Sequence, residues 1–273
     1  MPGITGLPLL IAGPCALETE EITFWIAAEL RSLSEDFNIP VIFKGSYAKA
    51  NRTRENSFHG VGIEKGLELL YHVKCEFNLP VTSDVHEVQE VERAAEILDV
   101  IQIPALLCKN TDILHAAGDT EKTINIKKGH FVTADDMYYS IEKVASRGNE
   151  DVYVTERGNQ FGYADTIVDF RSIAILKSFG YPVIFDATHS VRNISRRSDD
   201  PEGGRPEAIE LLTRCAAAVG ADGLFVETHV KPAEALCDSV VCYPLKNLRD
   251  LVKSFLEIRK LLNKFDNEMT ESL

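Results

Sequence analysis

Eight short apolar runs recur along the chain, and the segments between them carry the roughly 3.6-residue periodicity of helices. The runs are Pro8–Cys15, Val41–Tyr47, Pro80–His86, Val100–Ala105, Thr123–Lys128, Val152–Arg157, Pro182–His189 and Gly223–His229. Most are rich in Val, Ile and Phe and end on a polar or charged residue, as strands buried on both faces do where they reach a surface. Between them, Glu18–Ser34 sets Ile22, Ile26, Ala27 and Leu30 on one face, and Gly62–Phe77 sets Leu67, Leu70 and Val73. Val88–Leu98, Asp112–Thr120, Ala134–Arg147, Val168–Phe179 and Pro206–Val219 follow, and Leu245–Phe265 closes the series. Eight strand–helix alternations within about 250 residues are the arithmetic of an α/β chain closed into a (β/α)8 TIM barrel. A doubly wound open sheet is the competing architecture. Nothing resembles an interdomain linker, so residues 1–273 are expected to form one barrel domain with a frayed tail at 267–273.

Charge narrows the partners. A net charge of −13 over 273 residues excludes a general nucleic-acid binder, which needs a basic face to neutralise phosphates. Basic residues that do gather therefore point to a small anionic ligand. The apolar stretch Leu7–Leu17 is too short to cross a membrane. No Lys or Arg precedes it, the first being Arg31, so neither a leader nor a membrane partner is expected. The six cysteines (Cys15, Cys75, Cys108, Cys215, Cys237 and Cys242) form no CxxC pair, and a chain of this size needs no disulfides. The expected compartment is a reducing cytosol.

A barrel gathers the C-terminal ends of its strands around one mouth, and active sites are built there. The C-terminal ends of the strands expected within the eight runs are Cys15, Lys44, Asp84, Pro104-Ala105, Lys127, Arg157, His189 and Glu227. Cys15, His189 and Glu227, on the first, seventh and eighth runs, are metal-ligand types. Neighbouring strands lie about 4.8 Å apart, so side chains from strands seven, eight and one can converge in a closed barrel. Asp238, in the loop beyond the eighth run, supplies a fourth ligand type. Thiolate, imidazole and carboxylates together suit Fe²⁺ or Zn²⁺, with Mn²⁺ also admissible. Across the mouth stand the cations Lys44, Lys127 and Arg157. A phosphate or carboxylate between Lys127 and Arg157 gains charge-assisted bonds, bidentate from the guanidinium. The loop after Phe43 adds Lys49, Arg52 and Arg54, of which Lys49 and Arg52 suit a second anion. Two anion sites flanking a metal suggest the joining of two phosphorylated small molecules. Other motifs carry less: Gly60-Val-Gly62 followed by Gly66 misses the dinucleotide spacing, and His86-Glu87 has no second His four residues on.

In order along the chain stand IAGPC (11–15), FKGSYAKANRT (43–53), SDVHE (83–87), QIPA (102–105), NIKKG (125–129), ERGNQFGY (156–163), FDATHS (185–190), GGRPE (203–207) and GLFVETH (223–229). These stretches resemble the 3-deoxy-D-manno-octulosonate 8-phosphate synthases, over nearly the whole length from Leu9 to about Leu248. The resemblance implies a barrel, usually a homotetramer. It also implies condensation of phosphoenolpyruvate with D-arabinose 5-phosphate, release of phosphate, and a product destined for the inner core of lipopolysaccharide. Such enzymes carry either Asn or Cys at the position of Cys15, and the Cys form requires a divalent metal; His189, Glu227 and Asp238 match the other ligand positions. By the same resemblance Lys127 and Arg157 hold the phosphoenolpyruvate phosphate, Lys44 and Lys49 its carboxylate region, and Asn51 and Arg52 face the aldose phosphate. Thr53, Asp84, Ala105 and Lys109 complete the expected substrate contacts, and Lys44, Lys49, His189 and Asp238 the expected catalytic group.

Three departures stand out. Leu106-Leu107-Cys108-Lys109-Asn110-Thr111-Asp112 replaces the usual FLCRQTD, so Lys109 keeps the charge of an Arg that reaches a neighbour's aldose phosphate but loses its fork. Arg192 and His59 occupy positions where other residues are common. The sister enzymes that make 3-deoxy-D-arabino-heptulosonate 7-phosphate read KPRT where this chain has Lys49-Ala50-Asn51-Arg52-Thr53. The added Ala-Asn favours the five-carbon aldose over erythrose 4-phosphate. A barrel that binds a phosphorylated metabolite without turnover is the remaining alternative.

Overall fold

The computed structural model describes residues 8–50, 56–197 and 200–271, with side chains through 265. Eight parallel strands close on themselves: β1 (Leu9–Gly13), β2 (Val41–Lys44), β3 (Val81–Asp84), β4 (Val100–Ile103), β5 (Thr123–Lys127), β6 (Val152–Glu156), β9 (Val183–Asp186) and β10 (Gly223–His229). Closure is made by β1 against β10, with Gly13 opposite Glu227. Helices α1 (Glu20–Phe37), α2 (Ile63–Phe77), α3 (Val88–Ile97), α4 (Thr111–Gly118), α5 (Met137–Ala145), α6 (Arg171–Lys177) and α7 (Ile209–Ala218) return the chain between strands, and α8 (Leu245–Glu271) follows the last of them. All eight apolar runs contain a barrel strand, and the open-sheet alternative is excluded by the β1–β10 pairing. The expected tail, 267–273, falls where side chains lie outside the described residues.

Two elements were not foreseen. The connection after β6 folds into an antiparallel hairpin of β7 (Asn159–Phe161) and β8 (Asp165–Ile167). A two-residue strand, β11 (Tyr243–Pro244), pairs in parallel beside the last two residues of β10, Thr228 and His229.

The period-2 alternation of the strands decides what the barrel encloses. Leu10, Ala12, Phe43 and Val81 face outward and pack in the large core under the helices. Leu9, Ile11, Ile42, Val100, Tyr153, Ile184 and Phe225 form a separate cluster inside the barrel. Two residues further along each strand the same inward parity gives Lys44, Gln102, Thr155, Asp186 and Glu227, all buried. The barrel thus has an apolar floor and a polar layer directly above it, at the end where the strands finish. Gly13 completes that layer by absence: a Cβ there would stand 1.9 Å from Lys44 O, so β1 and β2 approach this closely only with glycine.

Candidate active site

The polar layer forms the bottom of a cavity of about 430 Å³, lined among others by Lys49, Asp84, Gln102, Ala105, Lys127, Arg157, His189, Arg192, Glu227, Cys237 and Asp238. Asn51, Arg52 and Thr53, expected at its rim, lie outside the described residues.

On one wall the expected ligand types meet. His189 sits in a short 3-10 turn just beyond β9, and Nδ1 pairs with Asp186 Oδ2 at 2.7 Å. That partner turns Nε2 toward Glu227 Oε2 at 3.5 Å and Asp238 Oδ2 at 3.7 Å. Cys15 Sγ lies 3.3 Å from Asp238 Oδ2. Glu227 Oε2 is buried without a hydrogen-bond partner, an expensive state that a cation would relieve. A histidine oriented through its other nitrogen by a carboxylate is the usual support of a metal-binding imidazole. The residues therefore fit a divalent ion in their donor types, their convergence and the orphaned oxygen.

Electrostatics agree. Burial opposes the charge of Glu227, yet Lys44, His189 and Lys49 bring its carboxyl down to about 2. Burial likewise opposes charge on Asp238, and His189 and Arg192 hold it well below the usual carboxylate range. Burial pushes the Cys15 thiol up, so its ligand form needs the ion that deprotonates it.

Lys44 is not on the cavity wall. Its Nζ donates to Cys15 O and to Glu227 Oε1, each at 2.7 Å, and the side chain is 1% exposed. It fixes one Glu227 oxygen and leaves the other facing the cluster. Removing one member of a buried pair strands the other charge. Lys44→Met is therefore expected to cost about 3–5 kcal/mol of stability, seen as a lower urea midpoint; an unchanged midpoint would show the pair carries no such weight.

Lys49 does reach the cavity, with Nζ 3.6 Å from Asp84 Oδ2 and 3.7 Å from Glu227 Oε1. Burial works against its charge, but Cys15, Glu227 and Asp84 outweigh it and raise its pKa, so Lys49 stays an ammonium. Asp84 starts a buried ladder over four strands. It accepts from Ser46 Oγ at 2.7 Å and from Gln102 Nε2; Gln102 Oε1 accepts from Asn125 Nδ2 at 3.0 Å; Asn125 Oδ1 accepts from Thr155 Oγ1 at 2.6 Å.

The cations Lys127 and Arg157 stand beside this cluster and not across the mouth from it, because Lys127 and His189 share one oxygen, Asp186 Oδ2. Lys127 pairs with Asp186 Oδ2 and lies over the Phe225 ring, 3.4 Å from its centroid. Burial lowers its pKa, Asp186 pulls the other way, and the Arg157 guanidinium adds to the lowering. Arg157 Nε is buried and has no hydrogen-bond partner. The residue after β5, Lys128, is fully buried; it ties down the start of the β7–β8 hairpin through Asn159 Oδ1 and the Gly158 carbonyl, and also bonds the Val132 carbonyl of its own loop. Lys109, by contrast, is exposed and does not line the cavity of its own chain.

Several site residues escaped the sequence reading. Asp186 was hidden because the seventh strand was expected to end at His189; it ends three residues earlier, on the carboxylate that orients that histidine. Cys237 was visible only as the neighbour of Asp238. Gln102 and Asn125 reveal themselves only through strand parity.

The profile of the DAHP synthetase I family matches residues 4–264. A protein of Trichlorobacter lovleyi named 2-dehydro-3-deoxyphosphooctonate aldolase is 47% identical over 247 residues, 90% of each chain. One of the same name from Geobacter sp. strain M21 is 46% identical over 259 residues, 94% of each chain. Another, from Campylobacter jejuni strain RM1221, is 46% identical over 265 residues, 93% of this chain and 97% of its own. That name is a synonym of the octulosonate-phosphate synthases whose motifs the sequence carries, so the resemblance holds over nearly the full length. This chain belongs to the DAHP synthetase I family.

Proposed function

We propose that the protein condenses phosphoenolpyruvate with D-arabinose 5-phosphate and water to give 3-deoxy-D-manno-octulosonate 8-phosphate and phosphate. The observation that carries this is a barrel mouth in which a guanidinium nitrogen without a hydrogen-bond partner, and Lys127, adjoin a Cys–His–Glu–Asp cluster through Asp186. Relatives 45–47% identical along nearly the whole chain bear that enzyme's name, which favours it over the heptulosonate synthase.

In this reading Arg157 and Lys127 hold the phosphoenolpyruvate phosphate, and Lys49, kept charged, donates to its carboxylate end. Lys44 acts from beneath by holding Glu227. The aldose phosphate takes Asn51, Arg52 and Thr53, with Lys109 reaching in from a neighbouring subunit of a homotetramer. Carbon 3 of phosphoenolpyruvate attacks the aldehyde, water adds at carbon 2, and the hemiketal phosphate collapses by C–O cleavage. Cys15, His189, Glu227 and Asp238 hold one divalent ion, Fe²⁺ or Zn²⁺ by donor type with Mn²⁺ admissible; such an ion orients a carbonyl or acidifies water. The product supplies lipopolysaccharide inner-core synthesis, and the enzyme works in the cytosol. Among the described residues no helix is long and apolar enough to cross a membrane.

Phosphate release separates the readings. With arabinose 5-phosphate, kcat/KM is expected to exceed that with erythrose 4-phosphate by about a hundredfold or more, because a site built to bond a hydroxyl discriminates strongly against a substrate lacking it. Equal values would sink the aldose assignment. Release with neither aldose would overturn the enzymatic reading.

A further inference from the structure

The metal-binding cluster contains a second sulfur. Cys237 Sγ accepts a hydrogen bond from Cys15 Sγ at 2.7 Å, and no disulfide joins them. The ligand atoms of Cys15, Cys237 and Asp238 all lie within 4.8 Å of one another, as do those of His189, Glu227 and Asp238. Asp238 is common to both groups, so they form one centre. Ala16 packs with the two sulfurs in a small buried cluster, and Phe58 leans on it, which keeps water from this side. On the other side waits the orphaned, buried Glu227 Oε2.

The backbone explains how consecutive residues serve one centre. In extended chain, neighbouring side chains point to opposite sides. Here Asp238 adopts φ 48, in the left-handed region that non-glycine residues seldom enter. The turn brings the Cys237 and Asp238 side chains to the same point, and such strain persists where the surroundings demand it.

We propose that Cys237 is a metal ligand together with Cys15, so that the centre offers two thiolates, one imidazole and two carboxylates. Thiolates select soft and borderline ions, so a second one biases the site toward Zn²⁺ or Fe²⁺ and against Mn²⁺. This rests on the metal reading given above and goes beyond its four ligands.

The test counts sulfurs on the ion. Metal-free protein, kept reduced with a phosphine and without oxygen, is titrated with Co²⁺, and sulfur-to-cobalt charge-transfer absorption is read alongside far-UV circular dichroism. Wild type should saturate at a single equivalent. Cys237→Ser and Cys15→Ser should each retain about half the band, and Cys237→Ser should lose about tenfold or more of the Zn²⁺-over-Mn²⁺ preference in competition. Cys75→Ser, at an exposed thiol away from the site, should change nothing. Cadmium NMR of the wild type counts sulfurs without any substitution, and a two-sulfur shift is expected even where a variant fails to fold. A full-strength band in Cys237→Ser, or a one-sulfur cadmium shift, overturns this inference and leaves the four-ligand site standing. No band in the wild type overturns both.

Discussion

Protein stripped of divalent metal, with the loss verified by elemental analysis, is expected to release phosphate from phosphoenolpyruvate at background rate, and a single equivalent of Zn²⁺ or Fe²⁺ should restore turnover. A bound cation supplies several kcal/mol of charge stabilisation, so the loss should be roughly a thousandfold or greater. Cys15→Ala should lose activity and bind metal more weakly while the barrel stays folded, because the interior cluster and the helix-facing core do not include it. Cys15→Asn imitates the metal-independent members, yet His189, Glu227 and Asp238 remain grouped as they would be around a metal. Weak, chelator-resistant activity is the most expected of it. Full activity in a verified metal-free sample would show that Cys15, His189, Glu227 and Asp238 are not a required metal site.

The second large effect is expected at Arg157. Its Nε is buried and unpartnered, whereas Lys127 already shares its charge with Asp186. On the proposed reading, a phosphate arriving here takes its bidentate donor from the guanidinium. Arg157→Ala should remove about 1.5–3 kcal/mol or more, a fall of roughly ten- to a hundredfold or greater in kcat/KM for phosphoenolpyruvate. Arg157→Lys should recover only part of it, because an ammonium lacks the planar fork. Wild-type kinetics in the alanine variant would place the anion site elsewhere.

The barrel was legible because each of its strands is buried on both faces and reads as a short apolar run ended by a polar residue. Val41 to Lys44 shows the pattern: all four residues are buried. The β7–β8 hairpin was not legible, since its strands are three residues long and largely exposed, leaving no apolar face to read. Helix α6 proved shorter than its periodicity suggested, running Arg171–Lys177 inside the expected Val168–Phe179. The convergence of Cys15, His189, Glu227 and Asp238 followed from closure of the sheet, which the alternation of elements implied. Cys237 did not, because its direction depends on the left-handed turn at Asp238, and no spacing rule announces that turn. Lys44 was expected among the substrate contacts; only three dimensions reveal the carboxylate it holds.

The ladder from Asp84 to Thr155 runs one way. An ionised carboxylate can only accept, and burial is outweighed at Asp84 by Lys49 and Lys44, which keep it ionised. Gln102 must then offer its NH₂ to Asp84, which turns its carbonyl toward Asn125. Asn125 must donate in turn, and its own carbonyl then claims the hydroxyl proton of Thr155. A charge on β3 thus dictates the orientation of a hydroxyl on β6, three strands round the barrel, without anything moving between them. Reversing Gln102 would set acceptor against acceptor at Asp84 and donor against donor at Asn125, and reversing Asn125 would set its carbonyl against that of Gln102. Substitutions along this row should therefore fail singly and succeed only as compensated sets, which makes the wall of the cavity resistant to gradual change even though each of its residues is individually ordinary.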